Sequence, residues 1–218
     1  MLRRLHSVRD EHTREEQAGF RAGRGCIDQI FTLRQLLEHR HIYRRPTIVV
    51  ILDIQVAFDS IDRGALWNCL ISNGVPEKYV SILKVVYSQT SGKVRAYGEF
   101  SPAFKVTSGV RQGCPISPFL FNFAIDDILH KALLNVTNCG VDLLPGNRAV
   151  DLEYADDIAL LSDNAQALQN VLNHLAIEVS RFGMCFAPSK CKVLLQDWQE
   201  PVPALTLGND VLEVVESF

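Results

Sequence analysis

Carboxylates stand in three settings along the 218 residues, and their neighbours decide what chemistry each could do. In YADDIALLS, residues 154–162, Asp156 and Asp157 are adjacent between apolar runs; in FAIDDILHK, residues 123–131, so are Asp126 and Asp127. In TIVVILDI, residues 47–54, Asp53 closes a continuous β-branched run. Adjacent carboxylates on a helix point about 100° apart and cannot readily share an ion. Ile125, Ile128 and Leu129 give FAIDDILHK a helical stripe, so Asp126 and Asp127 are expected to be mainly solvated or to act as caps. The flanks of YADDIALLS read as strands instead. Aspartate is disfavoured in strands and favoured in turns, which places this pair at a hairpin tip, with both carboxylates brought out over one edge. A plain acidic turn would have the same spacing. Asp53 weakens that simpler reading. A carboxylate at the end of a fully apolar strand carries a heavy desolvation cost unless a cation answers it, and three clustered carboxylates repel one another unless metal neutralises them. No His or Cys accompanies them, so the all-oxygen set suits Mg²⁺ or Mn²⁺ better than zinc. Two such ions about 4 Å apart suit in-line phosphoryl displacement. Residue types alone leave nucleotidyl transfer, a nuclease and another two-metal hydrolase open.

These carboxylates need elements to hold them. Residues 26–43 have the apolar spacing of an amphipathic helix, at Ile27, Ile30, Phe31, Leu33, Leu36 and Leu37, after a glycine-rich turn. TIVVILDI reads as a strand buried on both faces and ending at Asp53. Helices follow at about 63–72 and 76–88, split by Asn-Gly-Val-Pro, and KVRAYG and AFKVTSG alternate like paired strands. Ser117-Pro118 reads as a cap residue and a first-turn proline for a helix running to about Leu134. Strands at about 148–154 and 157–162 flank Ala155-Asp156, Asn164 caps a helix running to Gly183, and short strands fall near 191–195, 204–207 and 210–215. The class is α+β.

Composition bounds the function. The chain is 47% hydrophobic and 22% charged, ordinary for a soluble globular protein, and no apolar run is long enough for a membrane span. The basic start MLRRLHSVRDEH lacks the apolar centre of a signal peptide, so an intracellular protein, nuclear or cytoplasmic, is expected. Six cysteines without metal-ligand spacing read as reduced, mostly core residues. A net charge of -3 gives no basic excess for nucleic acid, so a polyanion would need a local patch.

Five ordered stretches resemble one family, the reverse transcriptases, most closely those of non-LTR retrotransposons of the long interspersed element type. EEQAGFRAGRGCIDQIFTLRQL is similar to the family's fingers segment, ILDIQVAFDSIDR to its first catalytic block and RQGCPISPFLFNFAID to the block with the nucleotide-facing Gln-Gly. YADD is similar to the signature tetrad, and FGMCFAPSKCKVLL to the following glycine-to-lysine block. The resemblance implies a right-hand polymerase palm, an antiparallel sheet backed by helices, with partial fingers and the thumb absent. It divides the chain into partial fingers (1–45), palm with the first catalytic aspartate (46–67), a fingers–palm connection (68–105), and palm ending within the primer-grip block (106–218). It implies an RNA-directed DNA polymerase working on an RNA template, a DNA primer and deoxynucleoside triphosphates, with two Mg²⁺ ions.

Residue by residue, the resemblance makes Asp53, Asp156 and Asp157 the catalytic and metal-holding triad, joined by the backbone carbonyl of Ile54. Phe58 matches the steric gate against a 2′-hydroxyl, with core packing as its alternative. Gln112 and Gly113 match the nucleotide- and template-facing pair, Gly113 otherwise being a turn glycine. Lys190 matches the lysine that assists pyrophosphate departure; a solvated lysine is the plainer reading. Arg21 and Arg24 flank the fingers turn, where they could meet phosphate or serve a structural role. Asp59 and Asp62 are expected to cap and salt-bridge the following helix. Val56 and Ala187 depart from the family's frequent basic residue and Asn. The resemblance also implies that the upstream triphosphate-holding segment is largely missing, with Arg3 and Arg4 as its trace. The rival reading is an inactive retroelement relic, or a domesticated fragment that binds nucleic acid or protein.

Overall fold

The computed structural model describes residues 13–134, 136–144 and 147–217; Arg3 and Arg4 lie outside them. At its centre is β1 (Thr47–Leu52), whose side chains leave no polar face to turn outward: Ile48, Val49, Val50 and Leu52 are all fully buried. Such a strand needs a neighbour on both edges and a layer on both faces. On its edges lie β9 (Asp157–Ser162) and β10 (Lys192–Gln196), both antiparallel to it. Beyond β9 comes β8 (Asp151–Tyr154), and beyond β10 comes β13 (Glu213–Val215), giving the order β13-β10-β1-β9-β8 with only the β10–β13 pair parallel. This is the expected α+β palm, an antiparallel-rich sheet backed by helices.

On one face, Ile48, Val50 and Leu52 join a core with Leu120 and Leu129 of α5 (Ser117–Leu133) and Leu168, Leu172 and Leu175 of α6 (Ala165–Arg181). On the other, Leu33, Leu36 and Leu37 of α1 (Cys26–Ile42) cover Val49, Ile51, Leu161 and Leu194. The shorter helices are α2 (Ala57–Ser60), α3 (Arg63–Ser72) and α4 (Glu77–Ser88). No helix among the described residues is long and apolar enough to cross a membrane.

Apolar spacing along α1 is regular, yet Ile27, Ile30 and Phe31 are exposed and only the later turns bury. Ser117 is the first helical residue and not the cap; its hydroxyl donates to the carbonyl of Arg111. KVRAYG and AFKVTSG do not pair with each other. From KVRAYG, β3 (Arg95–Ala96) turns back onto β4 (Glu99–Phe100) just after it, with Tyr97 and Gly98 both at positive φ, as a tight hairpin demands. The second run supplies β5 (Phe104–Lys105), which pairs with β2 (Ser91–Gly92). Two other short pairs are β6 (Val141–Leu144) with β7 (Asn147–Ala149) and β11 (Thr206–Leu207) with β12 (Asp210–Val211). All six cysteines are free, but Cys26 and Cys185 are exposed rather than core.

Candidate active site

The ladder between β1 and β9 ends with Leu52 opposite Ile158, so one further step sets Asp53 across from Asp157. Tyr154 pairs with Asp157, leaving Ala155 and Asp156 as a two-residue turn. Ala155 adopts φ 59, the left-handed geometry that the first residue of such a turn requires. Three carboxylates thus lie at the same end of the central strands. Partial desolvation raises the pKa of Asp157, and the negative charges of Asp156 and Asp53 push it further in the same direction. That mutual repulsion is the electrostatic condition a divalent cation relieves.

Opposite them, residues 185–191 run beside the continuation of β1. The amide of Gln55 donates to the carbonyl of Cys185 at 2.8 Å and that of Ala187 to the carbonyl of Asp53 at 2.9 Å, while buried Ile54 bridges Phe186. The turn after Ala187 presents Lys190, whose Nζ lies 3.3 and 3.4 Å from the two carboxylate oxygens of Asp53. Beneath it, the amide of Asp53 donates to Cys191 Sγ at 3.4 Å. Among the described residues, no three acidic, His or Cys side chains converge as a ready-made metal cage. Magnesium is ordinarily shared between one or two carboxylates and substrate oxygens, so the all-oxygen donors present still fit it.

Phe58 lies on α2, stacked on Phe121 with ring centroids 4.6 Å apart and edge-on to Phe20 at 6.2 Å. It is half-buried. Ahead of it, exposed Val56 has φ 49 and ψ 42, a strained conformation for a β-branched residue. The loop bearing Gln112 is bolted to α2, with the Val110 amide donating to the carbonyl of Phe58 at 2.7 Å. Gln112 Nε2 donates to Asp59 Oδ2 at 2.9 Å, so Asp59 orients this glutamine; Asp62 is the helix cap, accepting from the Ala65 amide. Gly113 has φ 78 with open space around it, so its backbone conformation is what selects glycine.

Arg21 and Arg24 do not point freely toward the carboxylates. Arg21 donates to the carbonyls of Arg14 and Gln17, and Arg24 pairs with the carboxylate of Glu15 at 2.8 Å. Their partners lie at the start of the stretch similar to the fingers segment, whose packing against β8 the sequence did not disclose. Buried Gln17 and Glu153 bridge this segment to β8, Arg14 reaches Asp151 and Glu153 at 2.8 Å each, and Asn122 donates to the carbonyl of Gly19 at 2.7 Å. Burial works against the charge on Arg14, but the carboxylates of Asp151 and Glu153 outweigh it and keep the guanidinium firmly protonated. Alternating acidic residues at 151 and 153, on one face of a strand, were the only sequence signal. Asp126 also belongs here. It is buried, not solvated as its helical setting suggested, and desolvation pushes its carboxyl up to about 7, against the lowering influence of Arg14 and Thr13. Asp127 is also largely covered, its side chain 11% exposed, and pairs with Lys131 at 2.5 Å.

Residues 1–208 match the family described as Reverse transcriptase (RNA-dependent DNA polymerase). The chain is 29% identical over 175 residues to the Retrovirus-related Pol polyprotein from type-2 retrotransposable element R2DM of Drosophila melanogaster, an alignment covering 80% of this chain and 16% of that protein. It is 32% identical over 170 residues to the Transposon TX1 uncharacterized 149 kDa protein of Xenopus laevis, covering 76% and 13%. The chain therefore spans less than a fifth of the length of either relative. Among solved structures, it resembles apo telomerase from Candida tropicalis truncated from its C-terminal domain, with a TM-score of 0.62 at 18% identity, covering 97% of this chain and 44% of that one. Telomerase from Candida albicans in complex with a fragment of telomeric RNA has the same TM-score at 15% identity, covering 95% and 36%. At these identities the structural likeness is one of fold.

Proposed function

The chain belongs to the reverse transcriptase family, and from that membership we propose that it carries the palm site of an RNA-directed DNA polymerase of a non-LTR retrotransposon. The reaction is attack of a DNA primer 3′-hydroxyl on the α-phosphate of a deoxynucleoside triphosphate, directed by an RNA template, with pyrophosphate leaving. The observation that carries this reading is Asp53 brought opposite Asp157, with Asp156 on the adjoining turn and Lys190 on Asp53.

Asp53 and Asp156 would be the principal holders of two Mg²⁺ ions, with Asp157 and the Ile54 carbonyl assisting. When bound, the ions lower the pKa of the attacking hydroxyl and offset charge on the phosphates. Lys190, flexible and exposed, supplies a proton or a charge-assisted hydrogen bond to the departing pyrophosphate. Phe58, backed by Phe121, presents a rigid ring edge that excludes a ribose 2′-hydroxyl. Gln112, held by Asp59, and Gly113, which allows close backbone approach, face the incoming nucleotide and template. Arg21 and Arg24 act by shaping the fingers turn, where either guanidinium could exchange a protein partner for phosphate. Residues 1–45 serve as fingers, 46–67 and 106–218 as palm, and 68–105 as the connection between them.

The test is primer extension by the 218-residue chain on an RNA template with a DNA primer and Mg²⁺, beside Asp156→Ala. Asp156 sits in a turn, so its removal is expected to shift stability by no more than about 0.5 kcal/mol while abolishing extension. Extension retained by the variant would overturn the triad; extension by neither chain would favour the inactive relic.

A further inference from the structure

We infer that Gln17 is a positioning residue for the turn that carries Asp156, and that Glu153 holds its NH₂ end. The inference rests on the polymerase reading of that turn but goes beyond it to a residue outside the catalytic blocks. The Gln17 carboxamide is fully buried, and both of its ends are committed. Its Oε1 accepts from the amide of Gly19 at 2.7 Å and from the amide of Ala155 at 3.0 Å. Its Nε2 donates to Glu153 Oε2 at 2.9 Å and reaches the carbonyl of Ala155 at 3.4 Å. One side chain therefore meets both the donor and the acceptor of the turn residue that precedes Asp156.

The orientation is chemically determined. The Gly19 and Ala155 amides can only donate, so they take the carbonyl end of the Gln17 amide and leave its NH₂ end to donate to Glu153 Oε2, whose carboxyl is held well above its usual pKa by burial and by Asp151. Arg14 holds Glu153 from the other side through Oε1. Backbone bonds align the segment, from the Ala18 amide to the carbonyl of Glu153 at 3.0 Å and from the Glu153 amide to the carbonyl of Glu16 at 3.3 Å. The arrangement matters because Ala155 is a non-glycine residue at φ 59, a conformation that persists where its surroundings impose it. A displacement of about 1 Å in a catalytic group can cost about 10²-fold in rate. The second residue of the turn is Asp156, so holding Ala155 holds the carboxylate's origin.

Amide hydrogen exchange by NMR on the full ¹⁵N-labelled chain tests this without depending on activity. In the wild type, the Ala155 amide should be protected to within about tenfold of the Leu160 amide in the neighbouring strand. Gln17→Met should speed Ala155 exchange relative to Leu160 by about tenfold or more. Gln17→Glu sets two carboxylates together and should do the same, whereas the reversed pair Gln17→Glu with Glu153→Gln restores acceptor and donor and should return protection to near the wild-type level. In primer extension, Gln17→Met should lower kcat by about 10²-fold while leaving KM for the nucleotide nearly unchanged, with recovery in the reversed pair. An unprotected wild-type Ala155 amide would overturn the inference, and this measurement decides even if a variant does not fold. Equal acceleration at Ala155 and Leu160 would also overturn it, making Gln17 a general anchor, as would a reversed pair no better than Gln17→Glu alone. If the wild type extends no primer, the polymerase reading fails separately, while Ala155 exchange still decides the role of Gln17.

Discussion

Gly19→Ala places a methyl group at the tightest approach in the site. A Cβ there would lie 2.2 Å from the Ala155 nitrogen and 2.8 Å from both the Ala155 Cα and Gln17 Oε1, where ordinary contact begins at 3.4 Å. About 1.2 Å must be found, and backbone lies on both sides. If the hairpin yields, Asp156 moves with it, and a shift of this size should lower extension by about 10²-fold. If the N-terminal segment yields, the Gln17 bonds and the 2.7 Å Asn122–Gly19 bond stretch, an overpacking cost of about 1–3 kcal/mol. For a chain of this length each kcal/mol lowers Tm by about 2–4 °C. Primer extension and thermal melting, read together, say which side moves. A Gly19→Ala chain with wild-type extension and a Tm unchanged within about 1 °C would refute the close packing of residues 13–19 against the turn.

Asp126 yields a pH prediction. Its proton is held more tightly in the fold than in the unfolded chain, since desolvation lifts it from 3.8 to about 7. Stability from the neutral form is therefore complete below about pH 4 and lost as pH rises toward 7. Asp126→Asn should match the wild type at pH 4 and be more stable at pH 8, by about 1–4 kcal/mol; melting curves that show no such divergence would refute the burial argument. Phe58→Val should remove the ring edge that faces a ribose, lowering discrimination of deoxy- over ribonucleotides by about 10–200-fold in kcat/KM. An unchanged ratio would leave Phe58 as a packing residue against Phe121.

Local signals in the sequence were enough for the elements that carry the triad. The β-branched run of β1 has no polar alternation, Asn164 caps α6 through a 2.9 Å bond to the Ala167 amide, and Gly183 at φ 69 ends that helix. Asp156 lies in the hairpin turn, where aspartate is favoured, and Asp157 opens the strand after it. The support behind that hairpin was not legible, because Gln17 and Glu153 are separated by 136 residues and nothing local marks either as buried. Asp126 was misread for the same reason: its helical stripe is real, but residues 13–14 close over it from far away in the chain. The strand partners of 93–105 were also misassigned, since alternation identifies a strand without naming its neighbour.

The central position of β1 also governs the order in which the protein can be built. Thr47–Leu52 emerges from the ribosome about 100 residues before β9 and about 140 before β10, the two strands that pair with its edges. At 5–20 residues per second, that leaves it without either strand partner for roughly 5–20 s. TIVVIL is a six-residue, uncharged, β-branched segment without proline or glycine, the composition that favours cross-β association. Until the hairpin is made, α1 is, among the described residues, the only synthesised element of the completed fold that packs on its Val49 and Ile51 face. The strand placed to carry Asp53 is thus also the strand whose exposure during synthesis must be kept brief or covered.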